Sequence, residues 1–146
     1  MRPLLVLLAV IGMAACGPGT GKDKEEAALP VVVLEVGYSP DPLRSGQAVR
    51  WTLSVTNGGT APATLTFPSG QDGDVVLDQN GRQAYRWSGG RFFTQAVRPV
   101  TLDAGATRTF TLEEERLAVE PGRYRLVATL RAEPAPAPAR RDVAVE

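Results

Sequence analysis

Hydrophobic and polar residues alternate with a period of two along much of the chain, and the clearest example lies in residues 49–56. There the odd-numbered positions are apolar or aromatic and the even-numbered ones are polar, as in a strand with one face on a core and the other in water. Similar runs recur up to residue 145, separated by turns rich in Gly, Pro, Asn and Asp. The pattern predicts about eight or nine short strands, with no amphipathic helix of useful length.

This arrangement of elements predicts the fold class. Parallel strands require long, usually helical, crossover connections, so strands without helices between them must be largely antiparallel. We predict an all-β, immunoglobulin-like antiparallel β-sandwich over residues 30–146, with a jelly roll as the second choice. Cys16 is the only cysteine, so the disulfide of antibody domains is absent and the comparison is with their architecture alone.

Residues 1–15 differ from the rest of the chain. They contain one cation, Arg2, then an apolar run and small residues directly before Cys16. The apolar run is too short for a membrane-spanning helix, which needs about 20 apolar residues. Its layout is that of a secretory signal peptide, and we predict that residues 1–15 are a signal peptide of the lipoprotein type.

The residues Met13-Ala14-Ala15-Cys16 resemble the bacterial lipoprotein box, although that pattern usually has Leu where Met13 stands. The resemblance implies lipidation of Cys16, which would anchor the chain to a membrane; the alternative is a free cysteine in an unprocessed helix. Gly17 follows the cysteine, and by resemblance to sorting patterns this favours the outer membrane if one is present. We expect an exported protein, lipid-anchored in the bacterial cell envelope, with residues 16–29 as the lipidated cysteine and a flexible tether.

Charge and composition exclude several classes of function. The chain has 16 basic and 16 acidic residues, so bulk charge does not favour nucleic acid or an anionic membrane surface. Histidine is absent, which removes the commonest general base and the commonest metal ligand. We therefore predict that the protein is not an enzyme, with no catalytic residues, cofactor, metal or small-molecule substrate.

An aromatic cluster lies in the central stretch, residues 67–95. Trp87, Phe92 and Phe93 could form a binding platform for a partner or could fill the core. Alternation with Arg86 directs Trp87 inward, and we favour the core for the cluster. In the same stretch Asp72, Asp74 and Asp78 could suggest a calcium site, but they lack the ligand series of a calcium loop, and turn chemistry explains them better.

Several short motifs in and near this stretch occur together in one known family. They are Leu65-Thr66-Phe67, Ser69-Gly70-Gln71, Asp74, Gly81, Tyr85-Arg86-Trp87-Ser88, Phe92-Phe93-Thr94-Gln95, Asp103-Ala104-Gly105 and Pro121-Gly122-Arg123-Tyr124. By these motifs the sequence resembles the BsuPI-type intracellular proteinase inhibitor domain. Gly73 and Val75 depart from the pattern, which commonly has an aromatic residue and Phe at those positions.

The resemblance implies an immunoglobulin-like domain of a family named for an inhibitor of an intracellular serine protease. A secreted, lipidated copy cannot meet a cytoplasmic protease, so inhibition carries over only if the target is in the envelope or the domain has been reused. Our first hypothesis is an envelope-anchored, non-enzymatic binding module with a protein partner, of which a serine protease is one candidate. The alternative is a structural or assembly lipoprotein whose sandwich docks a partner protein through a sheet edge or a loop.

A substrate-like inhibitor needs an exposed loop that is already rigid, because binding then costs less ordering entropy. Candidate loops are residues 69–74, 113–122 and 132–141. Arg86 and Arg91 flank the aromatic cluster and could enter a protease pocket, although exposed arginines are usually just solvated. The candidate contact residues are Ser69, Gly70, Gln71, Arg86, Arg91 and Arg140.

The lipid anchor gives a first testable prediction. Substituting Cys16→Ser removes the only thiol that could be acylated, so we expect the variant to move from the membrane fraction to the soluble fraction after cell fractionation. The unsubstituted chain, expressed at the same level, is the control. Retention of the variant in the membrane fraction would show that lipidation of Cys16 does not anchor the protein.

Overall fold

The structure is a computed structural model that describes residues 31–146. The predicted signal peptide, the lipidated Cys16 and the tether lie outside these residues. The described part is all-β, with every strand pairing antiparallel. The strands are β1 (Val32–Ser39), β2 (Val49–Asn57), β3 (Ala63–Phe67), β4 (Gly73–Gln79), β5 (Arg82–Arg86), β6 (Arg98–Leu102), β7 (Thr107–Glu114), β8 (Gly122–Leu130) and β9 (Ala139–Val145).

The strand order assigns the fold. One sheet has the order β1-β2-β7, a second has the order β5-β4-β8-β9, and β3 pairs with β6 as a two-stranded ribbon. In an immunoglobulin fold, strands A, B and E form one sheet, and C, F and G form the other with C′ beside C. The two large sheets follow that order, so the predicted immunoglobulin-like sandwich and its number of strands are confirmed.

Trp51 on β2 lies at the centre of the core. Its side chain is fully buried, and its ring contacts Tyr38 edge-on at 6.3 Å and Tyr85 at 6.0 Å between ring centroids. The alternating residues Val49, Trp51, Leu53 and Val55 are all buried, which confirms the inward face predicted from their period. Burial of these large apolar groups is the main stabilising contribution in a domain without a disulfide.

The ribbon β3-β6 is joined to both large sheets. Thr66 on β3 exchanges two backbone hydrogen bonds of 2.9 Å with Glu133, just beyond β8. Phe67 is fully buried, and its ring centroid lies 5.3 Å from that of Phe110 on β7. The ribbon therefore fixes the position of the chain on either side of the central stretch.

Tyr124 forms a tyrosine corner at the start of β8. Its hydroxyl donates a 2.6 Å hydrogen bond to the carbonyl of Glu120, four residues upstream, and its ring is buried. This contact is a hallmark of immunoglobulin-type folds, in which a cysteine of the inter-sheet disulfide follows two residues later. Here the corresponding residue is Leu126, which is fully buried, so apolar packing replaces the disulfide.

Gly73 begins β4 because a side chain does not fit there. A Cβ at this position would lie 2.7 Å from the carbonyl oxygen of Thr129 on β8 and 3.3 Å from a methyl group of Leu53. Without a side chain, β4 and β8 approach closely enough to pair. The departure from the aromatic residue common at this position thus has a local steric reason.

The tyrosine corner gives a second prediction. Tyr124→Phe removes the hydrogen bond to the Glu120 carbonyl while keeping the buried ring, so we expect it to lower the free energy of unfolding by about 1 kcal/mol. Urea denaturation followed by tryptophan fluorescence measures this change. The control is Tyr38→Phe, since the Tyr38 ring packs on Trp51 and its hydroxyl makes no hydrogen bond within the described residues. Equal effects of the two substitutions would contradict a stabilising role for the corner.

Candidate functional site

A loop between β5 and β6 carries the most exposed large side chain of the described residues. We define the Phe92 loop as residues 88–97; it has no regular strand or helix after its first turn. The Phe92 side chain is 100% exposed, and that of Val97 is 65% exposed. An exposed phenylalanine leaves its whole apolar area in water, which folding alone does not favour. The prediction that the whole aromatic cluster belongs to the core is therefore wrong for Phe92.

Trp87, directly before the loop, belongs to the core as predicted. It is 8% exposed, its backbone N–H donates to Val75 at 2.9 Å, and its indole Nε1 donates to the carbonyl of Glu113 at 2.9 Å. The half-buried ring of Phe93 contacts the Trp87 ring at 5.7 Å between centroids. Trp87 thus fixes where the loop lies on the sandwich.

Arg91 folds back onto the same indole ring. Its guanidinium carbon lies 4.5 Å from the Trp87 ring centroid, and its Nε donates to the Trp87 carbonyl at 2.7 Å. Its Nη2 donates to the Glu113 carbonyl at 3.1 Å and to the Glu114 carboxylate at 3.4 Å. Residues 91 and 93 therefore contact one ring, and Phe92 between them projects into solvent.

A series of side-chain hydrogen bonds connects Arg91 to Trp51 at the centre of the core. Trp51 Nε1 donates to the Tyr85 hydroxyl at 3.3 Å, and that hydroxyl donates to Glu114 at 2.8 Å. Burial raises the pKa of Tyr85, and the hydrogen bond to Glu114 raises it further. The hydroxyl therefore stays protonated and donates to the carboxylate that also accepts from Arg91.

Asp74 on β4 holds the start of the loop. Its side chain is 1% exposed; Oδ1 accepts from the backbone N–H groups of Val75 and Ser88, each at 3.0 Å. Oδ2 accepts from Ser88 Oγ at 2.7 Å and from Arg86 Nη1 at 2.9 Å, and a nitrogen of Arg131 lies at 3.5 Å from it. A buried carboxylate needs such partners, so the turn at Ser88 is fixed by the satisfaction of a buried charge.

The segment Ser69-Gly70-Gln71 supports the far side of the loop. The Gly70 N–H donates to the Thr94 carbonyl at 2.8 Å, and a Cβ on Gly70 would collide with the Thr94 hydroxyl. Arg98 also holds this segment. Its Nε and Nη2 donate to the Ser69 carbonyl at 3.1 and 3.0 Å, and Nη2 donates to Asp72 at 2.8 Å. Ser69, Gly70 and Gln71 are half-buried. Gly70 contacts the Phe92 loop directly, and Ser69 contacts Arg98 just after the loop.

The three predicted arginines occupy different environments. Arg86 donates to Asp74 and to Gln83, and Arg91 is held as described, so neither presents a free cation. Arg140 lies on β9, opposite Val127, and shares with Arg86 a shallow depression on the outer face of the four-stranded sheet. The structure thus brings Gly70 into contact with the loop that carries Arg91, whereas Arg86 and Arg140 line the depression on the outer face of the sheet. Whether any of them contacts a partner stays a prediction.

Two of the three aspartates of the central stretch, Asp72 and Asp74, bind partners within the chain itself. Asp72 accepts from Arg98 and Asp74 from Ser88, which supports the explanation by turn chemistry. Among residues 31–146, no group of three or more His, Cys, Asp or Glu side chains is placed to hold a metal ion. Nor does this part of the chain contain a helix long and apolar enough to cross a membrane.

The exposure of Phe92, and the support that its loop receives from Glu113, Glu114 and Thr94, were not predicted from the sequence. One signal was present: Gly89-Gly90 comes directly before two adjacent phenylalanines. In an extended segment adjacent side chains point in opposite directions, so only one of the two rings can face the core.

Comparison with known families gives one clear match. The family model BsuPI, described as an intracellular proteinase inhibitor, matches residues 36–135, which is more than half of the chain. The match contains β2 to β8 and the whole Phe92 loop. No curated protein matches the chain.

Solved structures show weaker likenesses. The CARDB domain of a Pyrococcus furiosus protein, solved with two metal ions, is 21% identical with a TM-score of 0.46, covering 80% of this chain and 89% of that one. The sporulation control protein Spo0M of Bacillus subtilis is 13% identical with a TM-score of 0.49, covering 81% and 50%. A Listeria innocua β-glucosidase is 19% identical with a TM-score of 0.42, covering 78% and 16%. The fold assignment above depends on the strand order and not on these likenesses.

The buried carboxylate gives a third prediction. Asp74→Asn replaces a charged acceptor with an amide that cannot accept from both Ser88 and Arg86 at Oδ2, so we expect a loss of about 2 kcal/mol in the free energy of unfolding. Hydrogen exchange at the Ser88 and Arg91 amides should also accelerate. Asp78→Asn, on the same strand but less buried, is the matched control. Unchanged exchange in Asp74→Asn would show that Asp74 does not hold the loop.

Proposed function

We propose, since the chain belongs to the BsuPI family of intracellular proteinase inhibitors, that it is a non-enzymatic module that binds and restrains a protease through the Phe92 loop. The observation that carries this proposal is a fully exposed aromatic ring on a loop whose neighbouring residues are held by the sandwich. Buried aromatic anchors dominate the energetics of protein interfaces, so such a ring is suited to a protein partner.

Rigidity of the loop supports inhibition in particular. An inhibitor that is already ordered loses little conformational entropy when it binds. Here the order comes from hydrogen bonds at Ser88, Arg91 and Thr94 and from the stacking of Phe93 on Trp87. The backbone of the loop can therefore enter a cleft at little ordering cost.

The absence of histidine from the sequence supports a non-enzymatic role. A nucleophilic serine or cysteine usually needs an adjacent base, and histidine is the commonest one. Ser69 and Ser88 are both used in turns: Ser69 Oγ accepts from the Gln71 N–H, and Ser88 Oγ donates to Asp74. Asp74 also accepts from Arg86 and from the Ser88 backbone N–H, so it serves as a structural acceptor for the turn.

We further propose that the module acts in the bacterial cell envelope, anchored through Cys16. The support is the sequence alone: the apolar run of residues 1–15 and the lipoprotein-box motif that ends in Cys16. If so, the partner is a serine protease on the same side of the membrane. The family's intracellular target would then be replaced by an exported one.

A second candidate function is docking of a partner through the edge of the three-stranded sheet. β1 pairs only with β2. Val31, directly before β1, is 60% exposed, and Val33, within β1, is 47% exposed. The Val31 carbonyl accepts from Gly58, whereas the Val36 carbonyl points to the open edge and accepts from Arg141 at 3.2 Å. An apolar edge strand with outward backbone groups is a site where a partner's strand can pair.

The fourth prediction separates these candidates. The full chain, purified in mild detergent, is titrated against a panel of serine proteases with a chromogenic substrate, and we expect at least one protease to be inhibited at stoichiometric amounts. A variant with Val33→Lys, which blocks the β1 edge, should inhibit equally well. If no protease is slowed and the chain is itself digested at a loop, the inhibitor proposal is wrong.

A further inference from the structure

We infer that Phe92 occupies the primary specificity pocket of the partner protease, so that the partner is a protease that cleaves after large apolar side chains. The inference rests on the proposed function and adds the chemistry of the partner. The inference makes Phe92 the residue that determines which proteases are inhibited. Neither the family match nor the fold identifies such a residue.

The geometry around Phe92 is that of a presented side chain. Its neighbours on both sides turn back to the domain: Arg91 stacks on Trp87 at 4.5 Å and Phe93 contacts the same ring at 5.7 Å. Phe92 itself is 100% exposed. A ring between two anchored neighbours is displayed in one direction and can be inserted into a pocket without rearrangement of its flanks.

The anchors on the two sides of Phe92 are independent of one another. On the N-terminal side, Ser88 is bonded to Asp74, and Arg91 is bonded to the carbonyls of Trp87 and Glu113. On the C-terminal side, the Thr94 carbonyl accepts from Gly70. None of these bonds involves the Phe92 side chain, so replacing that side chain should leave the loop in place.

The basic residues nearby do not compete for this role. The guanidinium groups of Arg86 and Arg91 are each engaged by carboxylate or carbonyl oxygens of the domain. Presenting either to a pocket would remove a donor from those oxygens, and for Asp74 the carboxylate concerned is buried. An acidic pocket of the trypsin type therefore finds no free cation in this loop, whereas a deep apolar pocket finds a free aromatic ring.

The test measures how the inhibition constant changes with the residue at position 92. The full chain in mild detergent is titrated against chymotrypsin and subtilisin, which accept large apolar residues, and against trypsin and pancreatic elastase, which do not. Phe92→Ala should weaken binding to the apolar-pocket proteases about a hundredfold, as for a central hot-spot residue, and Phe92→Leu less than tenfold. Phe92→Arg should transfer the preference to trypsin.

Two control variants complete the design. Val97→Ala shortens another exposed apolar side chain of the same loop and should change no inhibition constant by more than about twofold. Gly70→Ala keeps Phe92 but displaces the Thr94 contact, and should weaken inhibition of the apolar-pocket proteases. Urea denaturation of each variant checks that the sandwich is intact.

The outcomes distinguish the inference from the proposal beneath it. Loss of chymotrypsin or subtilisin inhibition in Phe92→Ala, with gain toward trypsin in Phe92→Arg, supports both. If some protease is inhibited by the unsubstituted chain and the variants at position 92 do not alter this, the inference is overturned and the proposed function stands. If the unsubstituted chain inhibits no protease, the proposed function fails and the inference with it.

Discussion

The buried carboxylate of Asp74 is the constraint on which the arrangement of the candidate site depends. A carboxylate with 1% of its surface in water must find donors inside the protein, because an unpaired buried charge costs several kcal/mol. Its donors include Arg86, the last residue of β5, and Ser88 in the turn that follows. The end of the β4-β5 hairpin is therefore tied to the start of β4, and the chain leaves Ser88 in one direction.

The rest of the Phe92 loop is held in place by contacts with the sandwich. Its contacts reach β7 through Glu113 and Glu114 and the segment before β4 through Gly70. Because these supports belong to different elements, loosening the loop requires the loss of several contacts at once. Proteins with disulfides often clamp such loops covalently; here hydrogen bonds and one stacked tryptophan serve instead.

The sequence predicted the elements better than the site. Period two in β2 and β8 requires only local information, so the strands, the inward face of Trp51 and the core position of Trp87 followed directly. Phe92 did not, because the chain becomes irregular after Gly90, whose φ of +74° reverses the direction of the backbone. Beyond such a turn, counting odd and even positions no longer indicates which side chains face the core.

The environment of the arginines could not be predicted for a different reason. Arg86 looks exposed in the sequence because it alternates with Tyr85 and Trp87, and Arg91 because it follows a Gly-Gly turn. Their partners are Asp74, twelve residues before Arg86, and Glu114, twenty-three residues after Arg91. These contacts exist only once β4, β5 and β7 are assembled, so no local pattern can report them. Candidate sites built on surface charge alone are therefore easily misplaced.

The chemistry of the Phe92 loop makes an intracellular family compatible with the proposed location in the cell envelope. The features that order and present Phe92 are carboxylate–guanidinium pairs, backbone hydrogen bonds and aromatic contacts. None of these is a thiol or a histidine, whose state would change with redox potential or with pH near neutrality. The loop would keep its form in a reducing cytoplasm and in an oxidising envelope alike. A lipid anchor at Cys16 would then change which proteases the domain can meet, and leave unchanged how it binds them.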